Sequence, residues 1–137
     1  MKKISIIGTG LSAIFSAMHL RKNTDLEINL FDKAKGLGGR LATRRAEGGK
    51  FDHGAQYFSI ETINDLPEIQ MLINEGVIKN IDDKDIYFSP DGMTNIAKKL
   101  LIDFNIHKEH KLISIDKKNE AYKLFFENGS TFDTDYI

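Results

Sequence analysis

The sequence predicts an α/β fold that begins with a βαβ unit. Residues 3–8, KISIIG, are a short β-branched run, as expected of a strand buried on both faces of a parallel sheet. Residues 11–21 repeat apolar side chains at helical spacing, with Asn23 as a stop, and predict an amphipathic helix. Residues 26–32, LEINLFD, predict a second strand. A right-handed βαβ unit is the simplest arrangement of these three elements.

The segment after the second strand is less regular. Residues 33–49 are rich in glycine and basic side chains and predict mostly loop, with room for one helical turn. Residues 50–52 predict a short strand. Residues 60–75 mix acidic and apolar side chains around Pro67, which predicts two short helices rather than one long helix.

The last third of the chain returns to regular structure. Residues 93–104 predict a helix, with Asp91 or Thr94 as its N-cap. The pair Asn128-Gly129 is a hairpin signal between two later strands. Three strands are predicted after the helix, at residues 110–116, 121–127 and 130–137.

The composition excludes several classes of protein. The 137 residues are 41% apolar and 28% charged, which is typical of a globular domain and not of a disordered tail. A net charge of −1 offers no positive field for nucleic acid or an anionic membrane, so we expect neither partner. Gly8 and Gly10 interrupt the N-terminal apolar run, which therefore does not predict a signal peptide. We expect a cytoplasmic chain.

The turn between the first strand and the helix has the spacing of a diphosphate-binding loop. Gly8, Gly10 and Ala13 match the pattern GxGxxG/A in the strand–turn–helix context that the motif requires. The first glycine permits a tight turn, and the second lets the backbone approach the ligand. The N–H groups at the helix start then face the anion, and Ser12 can add a hydroxyl donor. A glycine turn without a ligand is the alternative.

Asp32 is the candidate ribose ligand of a Rossmann-like dinucleotide-binding unit. It ends the second strand 22 residues after Gly10, close to the ~20 residues of the fingerprint. Its carboxylate can accept hydrogen bonds from ribose hydroxyls and would repel a 2′-phosphate. A solvated aspartate at a strand end is the alternative. The loop and Asp32 together fit NAD and FAD alike.

A second glycine-rich segment favours FAD. In DKAKGLGGRLATRR, residues 32–45, the pair Gly38-Gly39 and then Arg40 follow the ribose carboxylate closely. Arg40 could pair with the diphosphate or contact the flavin side of the cofactor. An NAD-binding βαβ unit has no need of this segment. A solvated basic loop is the alternative.

Three motifs in order resemble the GG-doublet, amine oxidase-like flavoprotein family, and within it the renalase-like branch: DKAKGLGGRLATRR, FDHGAQYFS and YFSPDGMTNIAKKL. The resemblance covers nearly the whole chain and is weakest over residues 62–85. It implies an FAD-binding βαβ unit and GG motif in residues 1–58. A helical insertion that starts a mixed α+β substrate domain is implied in residues 59–90, and a helix and strands that return to the FAD-binding domain in residues 91–137.

The resemblance also implies which residues contact FAD. The glycine turn holds the diphosphate, Asp32 the adenosine ribose, and Leu112 places its backbone against adenine, although core packing alone would explain a leucine there. Gln56 and Tyr57 approach the flavin, with packing at a strand end as their alternative. The implied cofactor-binding residues are Gly8, Gly10, Leu11, Ser12, Asp32, Lys33, Gly39, Arg40, Gln56, Tyr57 and Leu112.

No catalytic residue and no metal site is predicted. Flavin hydride transfer requires no protein nucleophile, so a structural His53 is favoured over a catalytic one. His107 and His110 are expected on a polar connection into a strand, and His19 in the first helix. None of them has a metal-like constellation around it.

Renalase-like enzymes oxidise reduced nicotinamide or related substrates through FAD, with oxygen as acceptor, and the resemblance implies such a reaction or amine oxidation. The sequence stops at Tyr136-Ile137, which either closes an edge strand or marks a fragment. We expect an incomplete fold, truncated or encoded apart from its remaining half, which a partner chain could supply, and a fragment inactive by itself. The alternatives are a non-catalytic module that binds FAD or NAD and an NAD-linked dehydrogenase.

Overall fold

The computed structural model describes all 137 residues and contains two compact units. The first comprises Met1–Gly36 and Asp103–Ile137, and the second comprises Leu37–Ile102. In chain order the elements are β1 (Lys3–Ile7), α1 (Leu11–Asn23), β2 (Glu27–Phe31), β3 (Thr43–Ala46), β4 (Gly49–Asp52), α2 (Pro67–Asn74), β5 (Lys79–Asn80), β6 (Tyr87–Phe88), α3 (Thr94–Leu100), β7 (Asn105–His107), β8 (Leu112–Lys118), β9 (Ala121–Phe126) and β10 (Thr131–Thr134). A 3₁₀ turn spans Gly39–Leu41.

The first unit contains the predicted βαβ unit. β1 and β2 pair in parallel, β2 pairs in parallel with β7, and the strand order is β1-β2-β7. Helix α1 buries Ile14, Ala17 and Met18, which lie three and four positions apart on one face. The parallel sheet and its crossover helix confirm the α/β fold class.

An antiparallel sheet with the order β10-β9-β8 completes the first unit. Phe31 of β2 packs with Leu124 and Phe126 of β9, and the half-buried Leu112 and Phe132 border this cluster. The β9–β10 hairpin turns at the predicted Asn128-Gly129 pair, where Gly129 has a φ of +87°. The positive φ explains why glycine is suited to this position.

The exposure of β1 differs from the expectation of a strand buried on both faces. Only Ser5 is buried, whereas Ile7 is 42% exposed. β1 lies at the end of its three-stranded ladder, and beyond it Tyr136 adds a single parallel bridge to Ile4. Leu11 is also exposed, so the apolar face of α1 is narrower than the sequence pattern predicts.

The position of His107 corrects a second expectation. His107 is expected on a polar connection into a strand, yet residues 105–107 form β7 and pair with residues 29–31 of β2. A strand of three residues is too short to show a period-two pattern, so backbone pairing alone reveals it.

In the second unit, β3 and β4 form a hairpin within a stretch predicted as mostly loop. Gly48 and Gly49, with φ of +93° and +153°, make its turn. The predicted strand at residues 50–52 is therefore correct, and its partner strand was missed.

The helices of the second unit are fewer and shorter than predicted. One helix, α2, replaces the expected pair, and it begins at Pro67, where the missing N–H costs no helical hydrogen bond. Residues 60–66 instead form tight turns, in which Ile63 N–H donates to Ile60 O and Leu66 N–H to Ile63 O. Helix α3 ends at Leu100, before the predicted 104. No helix has the length and apolar character needed to cross a membrane.

Candidate functional site

The glycine turn joins β1 to the start of α1. Gly8 has a φ of +107°, and its N–H donates to Phe31 O of the neighbouring strand at 2.6 Å. Gly10 is the N-cap, with extended backbone at φ −71° and ψ 172°. The first helical hydrogen bond runs from Ile14 N–H to Gly10 O at 3.0 Å. The turn thus brings the end of one parallel strand directly to the beginning of a helix.

This turn leaves room for an anionic ligand. A Cβ added to Gly8 or to Gly10 would meet no heavy atom within 4 Å. The first turn of α1 contains no acidic side chain, and no side chain caps it. The N–H groups of residues 11–13 precede Ile14, the first residue whose N–H donates within the helix, and are available to a ligand. Leu11 and Ser12 are both exposed here. The residues present therefore fit the diphosphate of FAD.

Asp32 lies directly beside this turn. Its Oδ2 accepts a hydrogen bond from Thr9 N–H at 2.9 Å and another from the Thr9 hydroxyl, and its Oδ1 accepts from Ala34 N–H at 2.9 Å. A carboxylate offers about four acceptor positions, so roughly one remains for a ribose hydroxyl. The sequence analysis missed Thr9, although a threonine between two motif glycines and next to a strand end was a usable signal.

The backbone of Asp32 is held from the other side by the β7 region. Asp32 N–H donates to His107 O at 2.9 Å, and His110 N–H donates to Asp32 O at 2.8 Å. The His107 ring stacks on Phe31 with centroids 4.5 Å apart and meets Asn29 Oδ1 through Nε2 at 3.2 Å. Burial, and secondarily the charge of His110, lower the pKa of His107. Both histidines therefore support the carboxylate-bearing turn structurally.

Two further residues predicted to bind the cofactor, Lys33 and Leu112, lie in the first unit. Lys33 is exposed and lines an open cleft of about 690 Å³ together with Lys35, Glu109 and Lys111. Leu112 begins β8 and packs against the Phe31, Leu124 and Phe126 cluster. Lys111 also forms an exposed ion pair with Glu127, at 3.3 Å.

The other residues predicted to bind the cofactor, namely Gly39, Arg40, Gln56 and Tyr57, lie in the second unit. Gly39 and Arg40 form the 3₁₀ turn, and the Arg40 side chain is exposed. Arg40 O accepts a hydrogen bond from Ala55 N–H at 2.7 Å, and a Cβ added to Gly54 would lie 1.9 Å from Arg40 O. The GGR and HGAQYF motifs are therefore in direct backbone contact. Beyond this contact Gln56 and Tyr57 are exposed.

A half-buried polar network holds α3 in the second unit. Asp52 Oδ1 accepts hydrogen bonds from Thr43 Oγ1 at 2.6 Å and from Met93 N–H at 2.9 Å. Thr94 N–H donates to Thr43 Oγ1 at 3.0 Å, and Thr43 N–H donates to Thr94 Oγ1 at 2.8 Å. The prediction that Asp91 or Thr94 would cap α3 was wrong. Met93 is the N-cap residue, and the start of the helix is satisfied from the hairpin.

Comparison with known proteins agrees with this geometry. A family model described as an NAD(P)-binding Rossmann-like domain matches residues 6–75, just over half of the chain. A 77-residue stretch is 40% identical to 4,4′-diapolycopen-4-al dehydrogenase of Metabacillus indicus and covers 56% of this chain and 14% of that protein. A 55-residue stretch is 40% identical to prenylcysteine oxidase 1 of Bos taurus and covers 39% of this chain and 11% of that protein.

The fold also recurs in solved structures. Tetracycline destructase Tet(51) matches with a TM-score of 0.67 and 18% identity over 98% of this chain and 38% of that chain. The chain thus spans only a minor part of these proteins. The chain belongs to the family of NAD(P)-binding Rossmann-like domains.

Proposed function

We propose that this chain is the FAD-binding portion of a renalase-like flavin oxidoreductase that oxidises a reduced nicotinamide-type or amine substrate, with oxygen as acceptor. The observation that carries the proposal is the open glycine turn at the uncapped start of a 13-residue helix, with a buried carboxylate beside it. The resemblance of the GGR and HGAQYF motifs to renalase-like proteins supports the finer assignment.

The residues of the first unit bind the diphosphate and the adenosine of FAD. Gly8 and Gly10 keep side chains out of the approach to the helix, and the N–H groups of Leu11 and Ser12 bind the phosphate oxygens. Asp32 accepts a hydrogen bond from the ribose with its remaining acceptor position. Lys33 and the backbone of Leu112 lie toward the adenosine end.

In the second unit, Gly39 and Arg40 contact the cofactor chain, and Gln56 and Tyr57 approach the flavin. Their exposure supports these roles, since a side chain packed into the core could not reach a ligand. FAD, when bound, accepts a hydride equivalent from the substrate. The chain's own task is to bind and orient the cofactor.

The domain assignment is part of the same proposal. Residues 1–58 form the FAD-binding unit and GG motif, residues 59–90 begin a substrate domain, and residues 91–137 return to the FAD-binding domain. Further polypeptide, in the same protein or in a partner chain, completes the substrate site. The chain spans 14% and 11% of the two matched curated relatives, which supports the proposal that further polypeptide contributes to the site.

A nucleotide-binding module without turnover is the second candidate. The family description names NAD(P), and Asp32 would suit the ribose of NAD as well as that of FAD. The two candidates differ in the preferred ligand. FAD binds more tightly than NAD under our proposal, and NAD displaces FAD under the alternative.

The experiment uses a variant that blocks the turn without disturbing the fold. Gly10 has an ordinary negative φ and open space at its Cβ position, so Gly10→Val should fold normally and still occupy the diphosphate approach. We expect at least a tenfold loss of FAD affinity, measured by flavin fluorescence quenching, or about 1.4 kcal/mol. Gly36→Ala, also in open space, is the matched control. Unchanged FAD affinity in a folded Gly10→Val protein, or tighter binding of NAD than of FAD, would contradict the proposal.

A further inference from the structure

One face of the β3–β4 hairpin carries two opposed cations. In an antiparallel pair, directly opposite residues point to the same side, and the side alternates along each strand. Thr43 is opposite Asp52, and Arg45 is opposite Lys50. These four residues therefore share one face. Like charges placed directly opposite each other destabilise a hairpin, so the Arg45–Lys50 pair calls for a physical reason.

Helix α3 adds a third cation, Lys98, beside this face of the hairpin. Thr94 of α3 is hydrogen-bonded to Thr43, which brings the helix against this face of the hairpin. Lys98 lies four residues after Thr94 and so projects from the same side of the helix. Together with Asp91 and Asn95, these residues line a single cleft: Thr43, Arg45, Lys50, Asp91, Thr94, Asn95 and Lys98.

The charges in this cleft are not balanced. The cleft is lined by three cations, Arg45, Lys50 and Lys98, and by one carboxylate, that of Asp91, and none of the three cations forms an ion pair. The other carboxylate on this face of the hairpin, that of Asp52, accepts hydrogen bonds from Thr43 and from Met93 N–H. Elsewhere in the molecule lysines do find partners, since Lys99, the next residue of α3, pairs with Glu75. The polar network beneath the cleft uses the Thr43 and Thr94 hydroxyls internally. The three cations and the Asn95 amide remain as donors.

The size of the cleft limits what it can hold. Its volume is about 100 Å³, and one water molecule takes a share of about 30 Å³ in the liquid. The space therefore accommodates one oxyanion group with its oxygens on the cations, but not a nucleotide. An arginine fork and two ammonium groups from different elements match the several oxygens of a phosphate better than they match a single carboxylate.

We propose that Arg45, Lys50 and Lys98 form a binding site for the phosphate group of a small molecule, separate from the glycine turn. The bound phosphate relieves the repulsion between Arg45 and Lys50 and joins the hairpin to α3. The inference does not depend on the proposed function, because none of these three residues is among the proposed FAD contacts.

The test measures binding of inorganic phosphate to the full chain by isothermal titration calorimetry, at constant ionic strength adjusted with chloride. We expect saturable binding, and acetate should bind more weakly. Arg45→Gln combined with Lys98→Gln should weaken phosphate binding at least about tenfold, because each change removes a charge-assisted contact. Lys117→Gln combined with Lys118→Gln, on β8 of the other unit, is the matched loss of two charges and should leave phosphate binding unchanged.

A second variant, Lys50→Gln, distinguishes loss of the phosphate site from loss of the fold. Lys50→Gln removes the like-charge repulsion, so without phosphate it should raise the melting temperature, and it should also reduce the stabilisation that phosphate provides. Equal phosphate binding by the parent and by the Arg45, Lys98 variant would overturn the proposal. So would a Lys50→Gln protein that phosphate stabilises as much as the parent. If the Arg45, Lys98 variant lost FAD in parallel with phosphate, the cleft would belong to the flavin site, and the separate site would be refuted.

Discussion

Gly54 packs directly against the backbone of Arg40. The carbonyl oxygen of Arg40 accepts the Ala55 N–H at 2.7 Å, and the approach leaves no room for a side chain at residue 54. Two motifs separated by about a dozen residues are thereby held in one arrangement. The exposed Arg40, Gln56 and Tyr57 side chains depend on this contact for their relative positions.

Gly54→Ala should therefore destabilise the second unit. The added Cβ would lie 1.9 Å from Arg40 O, so the backbone must move. Overpacking of this kind costs about 1–3 kcal/mol. Urea unfolding measures the change, and Gly36→Ala, where a Cβ meets nothing within 4 Å, should stay within about 0.5 kcal/mol of the parent. An equally small effect at residue 54 would show that the contact is not tight.

Thr9→Val should weaken the support of Asp32. The fully buried Thr9 donates its hydroxyl to Asp32 Oδ2, and valine keeps the shape but not the donor. Loss of a hydrogen bond to a charged group costs about 1.5–3 kcal/mol, and chemical unfolding would record it. Thr9→Ser keeps the hydroxyl and should retain more of the stability. If valine were no more destabilising than serine, the hydrogen bond to Asp32 would not be the main contribution of Thr9 to stability.

Asp52→Ala should loosen α3 from the hairpin. The substitution leaves Thr43 Oγ1 without its acceptor and Met93 N–H without its partner, and both groups are partly shielded from the water that could replace Asp52. We expect a loss of about 1–3 kcal/mol in the free energy of unfolding. Asp116→Ala on the exposed part of β8 removes the same charge without a comparable network and should change stability by less than about 0.5 kcal/mol. Similar losses for the two variants would argue against the network.

The features predicted correctly from the sequence depend on local patterns. β1, the glycine turn, α1 and β2 follow one another within residues 3–31, and each is encoded by its own periodicity and by the glycines between elements. The same holds for the β9–β10 hairpin at Asn128-Gly129. Local information was sufficient there because the contacts that define each element are close in the chain.

The features that were missed depend on distant contacts. The start of α3 is satisfied by Thr43 and Asp52, about forty to fifty residues earlier, so no local cap residue could be identified. β7 exists because it pairs with β2, and the bonding of Asp32 depends on Thr9. In the candidate site, the motif glycines and Asp32 could be predicted from spacing. The hydrogen bonds from Thr9 to the Asp32 carboxylate join residues 23 positions apart, and the place of Thr9 between the glycines was their only local signal.

The stability of the first unit should fall as the pH drops below about 6.5, the usual pKa of a histidine. Burial lowers the pKa of His107 in the folded chain, and the charge of His110 lowers it further. The unfolded chain then takes up the proton first as the pH falls, so protonation favours unfolding, and the loss continues until the pH is below the folded-state pKa. His107→Phe preserves the stacking on Phe31 but removes the titration, so its melting temperature should fall less between pH 7.5 and pH 5.5 than that of the parent. His19→Gln, on the exposed surface of α1, serves as the control and should follow the parent. If His107→Phe and the parent lost equal stability over this range, His107 would not be the group responsible.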